Sequence, residues 1–497
     1  MTALPKTAIL DTRRAGVLLH PTSFPAGDFG ADAERFLDFM QAAGLSVWQT
    51  LPLGPTHADR SPYHCLSVHA VDPALISLDR LRAKGWLPQA PANAAPAARR
   101  HALTEAARGL RERGAPDDRA AFERFSEEQR AWLQNYSLYL ALREESGERP
   151  WWEWPPPLRD RDPEALAEAG RRLAERLAVI RFEQFAAVTQ WQALRAQARA
   201  RGILLLGDMP IFVAHDSAEV WASRERFKLD DVGQPRVVAG VPPDYFSAQG
   251  QRWGNPLYDW EFMRVHGFRW WLDRLATELA RFDLVRVDHF RGFEACWEIP
   301  AGDETAVNGR WVKVPGEALF DAFLARFGKL PLVAEDLGLI TPEVHRLRDR
   351  YGLPGMAVLQ FAFEGGADNP YLPHNLEANR VVYTGTHDND TTLGWFAGLP
   401  AELQRRVTEY LGGASEPMPW PLVRAALMSV GRWAILPMQD LLGLGRGHRT
   451  NMPGTGSGNW AWKFAWSQVP DDLPARVRAL VELYGRLPKE NVSGISE

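Results

Sequence analysis

Three short segments place acids where they could do chemistry: RVDHF at 286–290, VAEDLG at 333–338 and TGTHDND at 384–390. In each, a carboxylate follows a run of β-forming apolar residues, so Asp288, Glu335 and Asp388 are expected to emerge together at one end of a parallel sheet. Three acids on one rim point to glycosidic-bond chemistry, in which one carboxylate attacks the anomeric carbon and another serves as acid and then as base.

Arg286 stands two residues before Asp288, so on an extended strand both side chains share a face, which in a barrel is the interior. A cation there keeps Asp288 ionised at neutral pH, as a nucleophile requires, although a purely structural ion pair would read the same way. Glu335 and Asp336 point to opposite sides of a strand end, and one of them should face the pocket. There, desolvation and a neighbouring carboxylate would raise its pKa and let it donate a proton near neutrality; either residue could instead cap the next helix. Asp388 lies among His387, Asn389, Asp390 and Thr391. A helix cap accounts for Asn389 to Thr392 but not for His387 and Asp388 at the end of a strand as apolar as RVVYTG. A metal site built on His387, Asp388 and Asp390 lacks a second His or Cys to complete it, so no metal is expected.

The elements that must position these acids are eight short apolar runs, beginning near residues 15, 47, 202, 284, 331, 356, 380 and 432. Amphipathic stretches with helical spacing separate most of them. Nearly continuous apolarity marks parallel strands covered on both faces, and about eight βα units is the count of a TIM (β/α)8 barrel. A doubly wound sheet would bring G-x-G-x-x-G after its first strand, and AGVLLHPTSFPAGDFG has no such pattern. The expectation is one α/β domain over 1–497, with inserted, largely helical subdomains at the C-terminal face of the barrel. The insertions fall at 55–180, after the second strand, and at 214–265, a lid and substrate loop after the third. Residues 88–117, rich in Ala, Pro and Arg, read as a connector or as a surface helix.

Bulk properties narrow the partners. A net charge of −5 offers no basic field for nucleic acid. No run reaches the ~18 apolar residues of a membrane span, and the N-terminus lacks an apolar export region. Two cysteines, Cys65 and Cys296, in no metal or redox spacing, fit a reducing cytoplasm. Twenty Trp among 497 residues exceed what core packing usually needs, and their flat faces suit sugar rings, although most are expected in the core.

With these residues in view, the chain resembles the amylomaltases, or 4-α-glucanotransferases, of the α-amylase superclan. The matching strings are GVLLHPTSFP at 16–25, LPLGPT at 51–56, GDMPIFVAHDSAEVW at 207–221, GVPPDYFSAQGQRWGNPLYDW at 240–260, RVDHFRG, AEDLG, YTGTHDNDT and TNMPGTGSGNWAW at 450–462. The resemblance implies that Asp288 is the nucleophile, Glu335 the general acid/base and Asp388 the transition-state stabiliser, with Arg286 and His387 orienting them. It also implies that Asp208 and Trp253 lie near the bound glucan, that Tyr63 stacks in the donor site, and that the loop 240–254 overhangs the cleft. Maltooligosaccharides, amylose or starch-type α-glucans would be donor and acceptor, glucose an acceptor, and no cofactor is needed. One string departs from the family pattern: SPYHCLSVHAVDP at 61–73, where His64 and Cys65 bear on the acceptor subsites. An α-glucan hydrolase using the same carboxylates and a non-catalytic glucan-binding barrel are the competing readings.

Overall fold

The computed structural model describes residues 8–488 except 92–94, 244–246, 339 and 414. Strands β1 (Arg14–Leu18), β2 (Val47–Gln49), β3 (Leu204–Met209), β4 (Val237–Val241), β5 (Gln251–Pro256) and β6 (Leu284–Val287) are followed by β7 (Ala295–Pro300) and β8 (Arg310–Lys313). The last four are β9 (Leu332–Ala334), β10 (Gly355–Val358), β11 (Arg380–Tyr383) and β12 (Trp433–Pro437). Eight of them, in the order β10-β11-β12-β1-β2-β3-β6-β9, form one parallel sheet, and each contains part of one of the eight apolar runs. A bond from Ala334 N to Pro354 O, 2.9 Å, ties β9 toward β10, so the sheet curls into a nearly closed barrel.

Alternation along each strand decides what fills the barrel. Leu18, Val47, Leu206, Leu284, Val333, Met356, Val381, Tyr383 and Ile435 form one buried cluster, while the alternate residues Val17, Leu205, Val285, Leu332, Ala357 and Val382 join the larger core under the helices. The lumen allows no bulk at Gly16, where a Cβ would meet Val47 O at 2.5 Å and Ile435 Cδ1 at 2.6 Å. Helices complete the outer layer by the expected periodicity. In Ala31–Ala42, Ala33, Phe36, Leu37, Phe39 and Met40 are buried and two acids occupy the first turn.

The excursion between β2 and β3 is helical, including Pro96–Arg113, Pro116–Glu128, Arg130–Glu145 and the 27-residue Ala174–Ala200 that leads back into β3. The excursions after β3 and after β6 are not mainly helical. They supply a four-stranded antiparallel sheet, β5-β4-β7-β8, which periodicity alone did not anticipate. Eleven of the twenty Trp are buried, six of them (48, 151, 191, 221, 271 and 433) fully, in line with the expectation that most serve the core.

At the opposite end of the barrel, the fully buried Arg486 donates to the carbonyls of Arg14, Ala426, Leu427, Ser429, Gly431 and Arg432. Its guanidinium thus fastens the residues entering β1 and β12, where the first and last strands of the barrel pair.

Candidate active site

The same alternation that fills the lumen with apolar side chains carries polar ones to its C-terminal mouth. Gly207 faces outward, where a Cβ would strike the Phe282 ring at 2.3 Å, so Asp208 faces inward opposite its register partner Arg286. Both Asp208 oxygens accept from Arg286 Nη1 at 2.7 Å, and both residues are buried. Arg286 Nη2 lies 3.0 Å from Asp288 Oδ1, so one guanidinium spans a buried aspartate and one that is 28% exposed. Burial opposes the charge on Arg286, but Asp208 and Asp288 outweigh it and hold the group firmly protonated.

Burial pushes the Asp288 carboxyl up to about 6 and the Glu335 carboxyl up to about 7. Arg286 counters the shift at both, while the Asp288 carboxylate adds to it at Glu335. Asp288 is therefore the first of the pair to ionise, because it alone has the guanidinium in contact. The pair titrates as a unit. Glu335 Oε2 accepts from His289 N at 2.8 Å and Oε1 from Leu337 N at 3.0 Å, so two backbone donors hold the carboxyl plane.

Asp336 takes the other direction. It accepts from Met356 N at 2.8 Å and Arg380 Nη1 at 2.7 Å and pairs with Arg348, all away from the mouth. Neither acid caps the next helix, Pro342–Arg350, which begins after Thr341. The cap reading does hold in the third segment: Thr391 Oγ1 accepts from Gly394 N at 3.1 Å, leaving His387 and Asp388 outside the capping turn.

Asp388 follows β11 and is the most open of the three acids, with 47% of its side chain exposed. His387 Nε2 lies 3.4 Å from Oδ2, and Asn451 Nδ2 donates to Oδ1 at 2.6 Å. Burial would raise its pKa, but His387 and Asn451 outweigh that and hold it below the usual carboxylate range, an effect that solvent moderates. The His387 ring, opposed by burial but favoured by Asp388, is shifted upward.

Tyr63 connects the two sides of the mouth. Its hydroxyl donates to Asp208 Oδ2 at 2.8 Å, and its ring stacks on His387 with centroids 5.1 Å apart and planes at 20°. Trp460 borders both rings at 5.9 and 5.8 Å. Trp253, on β5 of the antiparallel sheet, is 39% exposed and meets the His289 ring edge-on at 4.8 Å. Residues 244–246 of the expected overhanging loop lie outside the described residues.

All eight residues singled out from the sequence thus lie at or beside the C-terminal mouth. Asn451 and Trp460 were not singled out; they come from a Gly-rich stretch with no periodicity to mark it. Among the described residues no cluster of three His, Cys, Asp or Glu side chains is placed to hold a metal. At the departure in the family pattern, His64 stacks on His57 at 4.1 Å and bonds Asp59 at 2.8 Å, while Cys65 is buried and donates to Pro62 O.

A parallel eight-stranded barrel with carboxylates and aromatic rings gathered at its C-terminal mouth is the arrangement of a carbohydrate-active barrel enzyme. The family described as 4-alpha-glucanotransferase matches residues 17–468. The 4-alpha-glucanotransferase of Thermus thermophilus is 50% identical, over 96% of this chain and 99% of that protein. That of Synechocystis is 46% identical over 96% and 99%. An amylomaltase from Streptococcus agalactiae, solved in complex with acarbose, superposes with a TM-score of 0.92 at 34% identity, covering 96% of this chain and all of that one. The chain belongs to the 4-alpha-glucanotransferase family and is an enzyme of that family.

Proposed function

We propose that the chain transfers α-1,4-glucan segments by a retaining double displacement centred on Asp288 and Glu335. The observation that carries this reading is the contrast between the two carboxyls: Asp288 touches the Arg286 guanidinium, whereas Glu335 is held by two neutral amides beside a negative neighbour. One is suited to attack as an anion and the other to carry a proton.

In the first step an Asp288 oxygen bonds to the anomeric carbon as the bond to the leaving oxygen breaks, and that oxygen takes the Glu335 proton. In the second, a 4-hydroxyl of glucose or of another glucan gives its proton to Glu335 and displaces Asp288, restoring the α-linkage. Positive charge on the sugar in both transition states is offset by the Asp288 and Asp388 carboxylates. Tyr63 and Trp253 offer ring faces to the sugars, and the excursion 214–265 would shield the intermediate from water. The acarbose bound by the Streptococcus agalactiae relative supports an oligosaccharide-shaped cleft.

Incubation with maltotriose tests the activity: a product ladder extending beyond the starting length is expected. Accumulation of only glucose and maltose would mean hydrolysis, and binding without any product would mean a non-catalytic barrel.

The titration order gives a pH dependence. Below the first ionisation of the pair Asp288 is neutral and cannot attack; above about 7 Glu335 has lost the proton it must donate. A bell-shaped kcat/KM is expected, with its basic limb near 7, measurable from initial rates on maltotriose. A profile still rising above pH 8 would contradict the assignment.

Replacing Trp253 by Ala should remove a sugar contact without touching the carboxylates. KM for maltotriose is expected to rise roughly 5- to 30-fold, the worth of about 1–2 kcal/mol of aromatic contact, with kcat much less affected. An unchanged melting temperature in the same variant would separate binding from folding, since this ring is exposed.

A further inference from the structure

We propose that His289 is a positioning residue, whose left-handed backbone turns the amide following Asp288 onto the Glu335 carboxyl and so sets the two reacting acids relative to one another. The inference rests on the assignment of Glu335 as acid/base.

In a parallel ladder, a residue donates to the carbonyl before its partner and accepts from the amide after it. The β6–β9 register runs Val285 to Leu332, Arg286 to Val333 and Val287 to Ala334, so Asp288 would next face Glu335. Glu335 N does donate to Val287 O, at 3.0 Å. Its carbonyl, however, accepts from Phe290 N at 3.1 Å instead of from His289. One residue has been added to β6 at this point, and it is His289, with φ 50° and ψ 50°.

The added residue frees an amide. The His289 N–H leaves the ladder and donates to Glu335 Oε2 at 2.8 Å. That N–H belongs to the peptide bond formed by Asp288 itself, so a single planar unit links the carboxylate proposed to attack with the one proposed to protonate.

The left-handed region is unfavourable for a residue with a Cβ, and packing around the ring holds His289 there. The imidazole packs against Trp253, at 4.8 Å, and Phe212, at 6.3 Å, which also touch each other at 6.2 Å. Gly292 leaves it room, since a Cβ there would come within 3.2 Å of the imidazole Cδ2. Burial lowers the imidazole pKa to about 3, so the ring stays neutral and contributes shape, not charge. The charged and titratable groups acting on Glu335 are Arg286 and Asp288; Tyr371, from the loop after β10, also faces it.

Comparing His289→Gly with His289→Val tests this, because both remove the ring but only Gly accepts a left-handed backbone freely. With maltotriose as substrate, H289G is expected to keep kcat within about threefold and the basic limb of the pH profile in place, with KM raised by the lost support for Trp253. H289V is expected to lose about 10- to 100-fold in kcat and to move the basic limb upward by about one pH unit, because a donor to the carboxylate is gone. Equal kcat and equal limbs in the two variants would overturn the proposal. Should H289V not fold, His289→Asn, which tolerates this backbone, is compared with His289→Ala, which does not, under the same criteria. A basic limb that survives in Glu335→Gln would instead show that the acid/base assignment is at fault.

Discussion

Asp288→Asn is expected to lower transfer from maltotriose by about four orders of magnitude or more, the scale on which loss of a covalent nucleophile acts. The amide is isosteric and can still accept from Arg286 Nη2, which lies 3.0 Å away, so the guanidinium keeps its seat through Asp208. Folding and glucan binding should persist, visible as an unchanged melting temperature and retained maltotriose affinity by calorimetry. Without an anionic neighbour, the remaining Glu335 carboxyl should also titrate lower than in the parent protein, since Asp288 raises it. Near-normal turnover by this variant would remove Asp288 from the role.

Glu335→Gln has the second-largest expected effect, a loss of about 10² to 10⁴ in kcat with maltotriose, because the residue serves once as acid and once as base. A donor with a leaving group that needs no proton separates the two roles. With an α-maltosyl fluoride, bond cleavage no longer depends on Glu335, so the first step should recover while transfer to the second sugar stays slow. The variant should then accumulate glycosylated Asp288, detectable as a mass increment on the intact protein. Equal defects with fluoride and with maltotriose would mean that Glu335 acts on something other than the departing oxygen.

Much of this architecture was legible because its signals are local. Each barrel strand is an apolar run buried on both faces, and the period of two that sends Leu284 inward sends Arg286 and Asp288 the same way. What escaped was non-local. Arg286 finds its strongest partner, Asp208, 78 residues earlier, across a register that no single segment reveals. The choice between Glu335 and Asp336 depended on Arg348 and Arg380, which draw Asp336 away from the mouth from two different elements. The antiparallel sheet is split between two excursions, with the barrel strand β6 between its halves, so neither half reads as a sheet by itself. Asn451 and Trp460 sit in a polar, Gly-rich loop whose shape follows from what it covers. The extra residue at His289 is invisible to any reading that assumes an unbroken ladder.

The Arg486 clasp bears on how the barrel is closed. Its six carbonyl partners lie at the start of β1, in the helix Trp420–Met428 and in the turn from that helix into β12. A single guanidinium therefore satisfies acceptors on both sides of the seam between β1 and β12, and its loss would strand six carbonyls together.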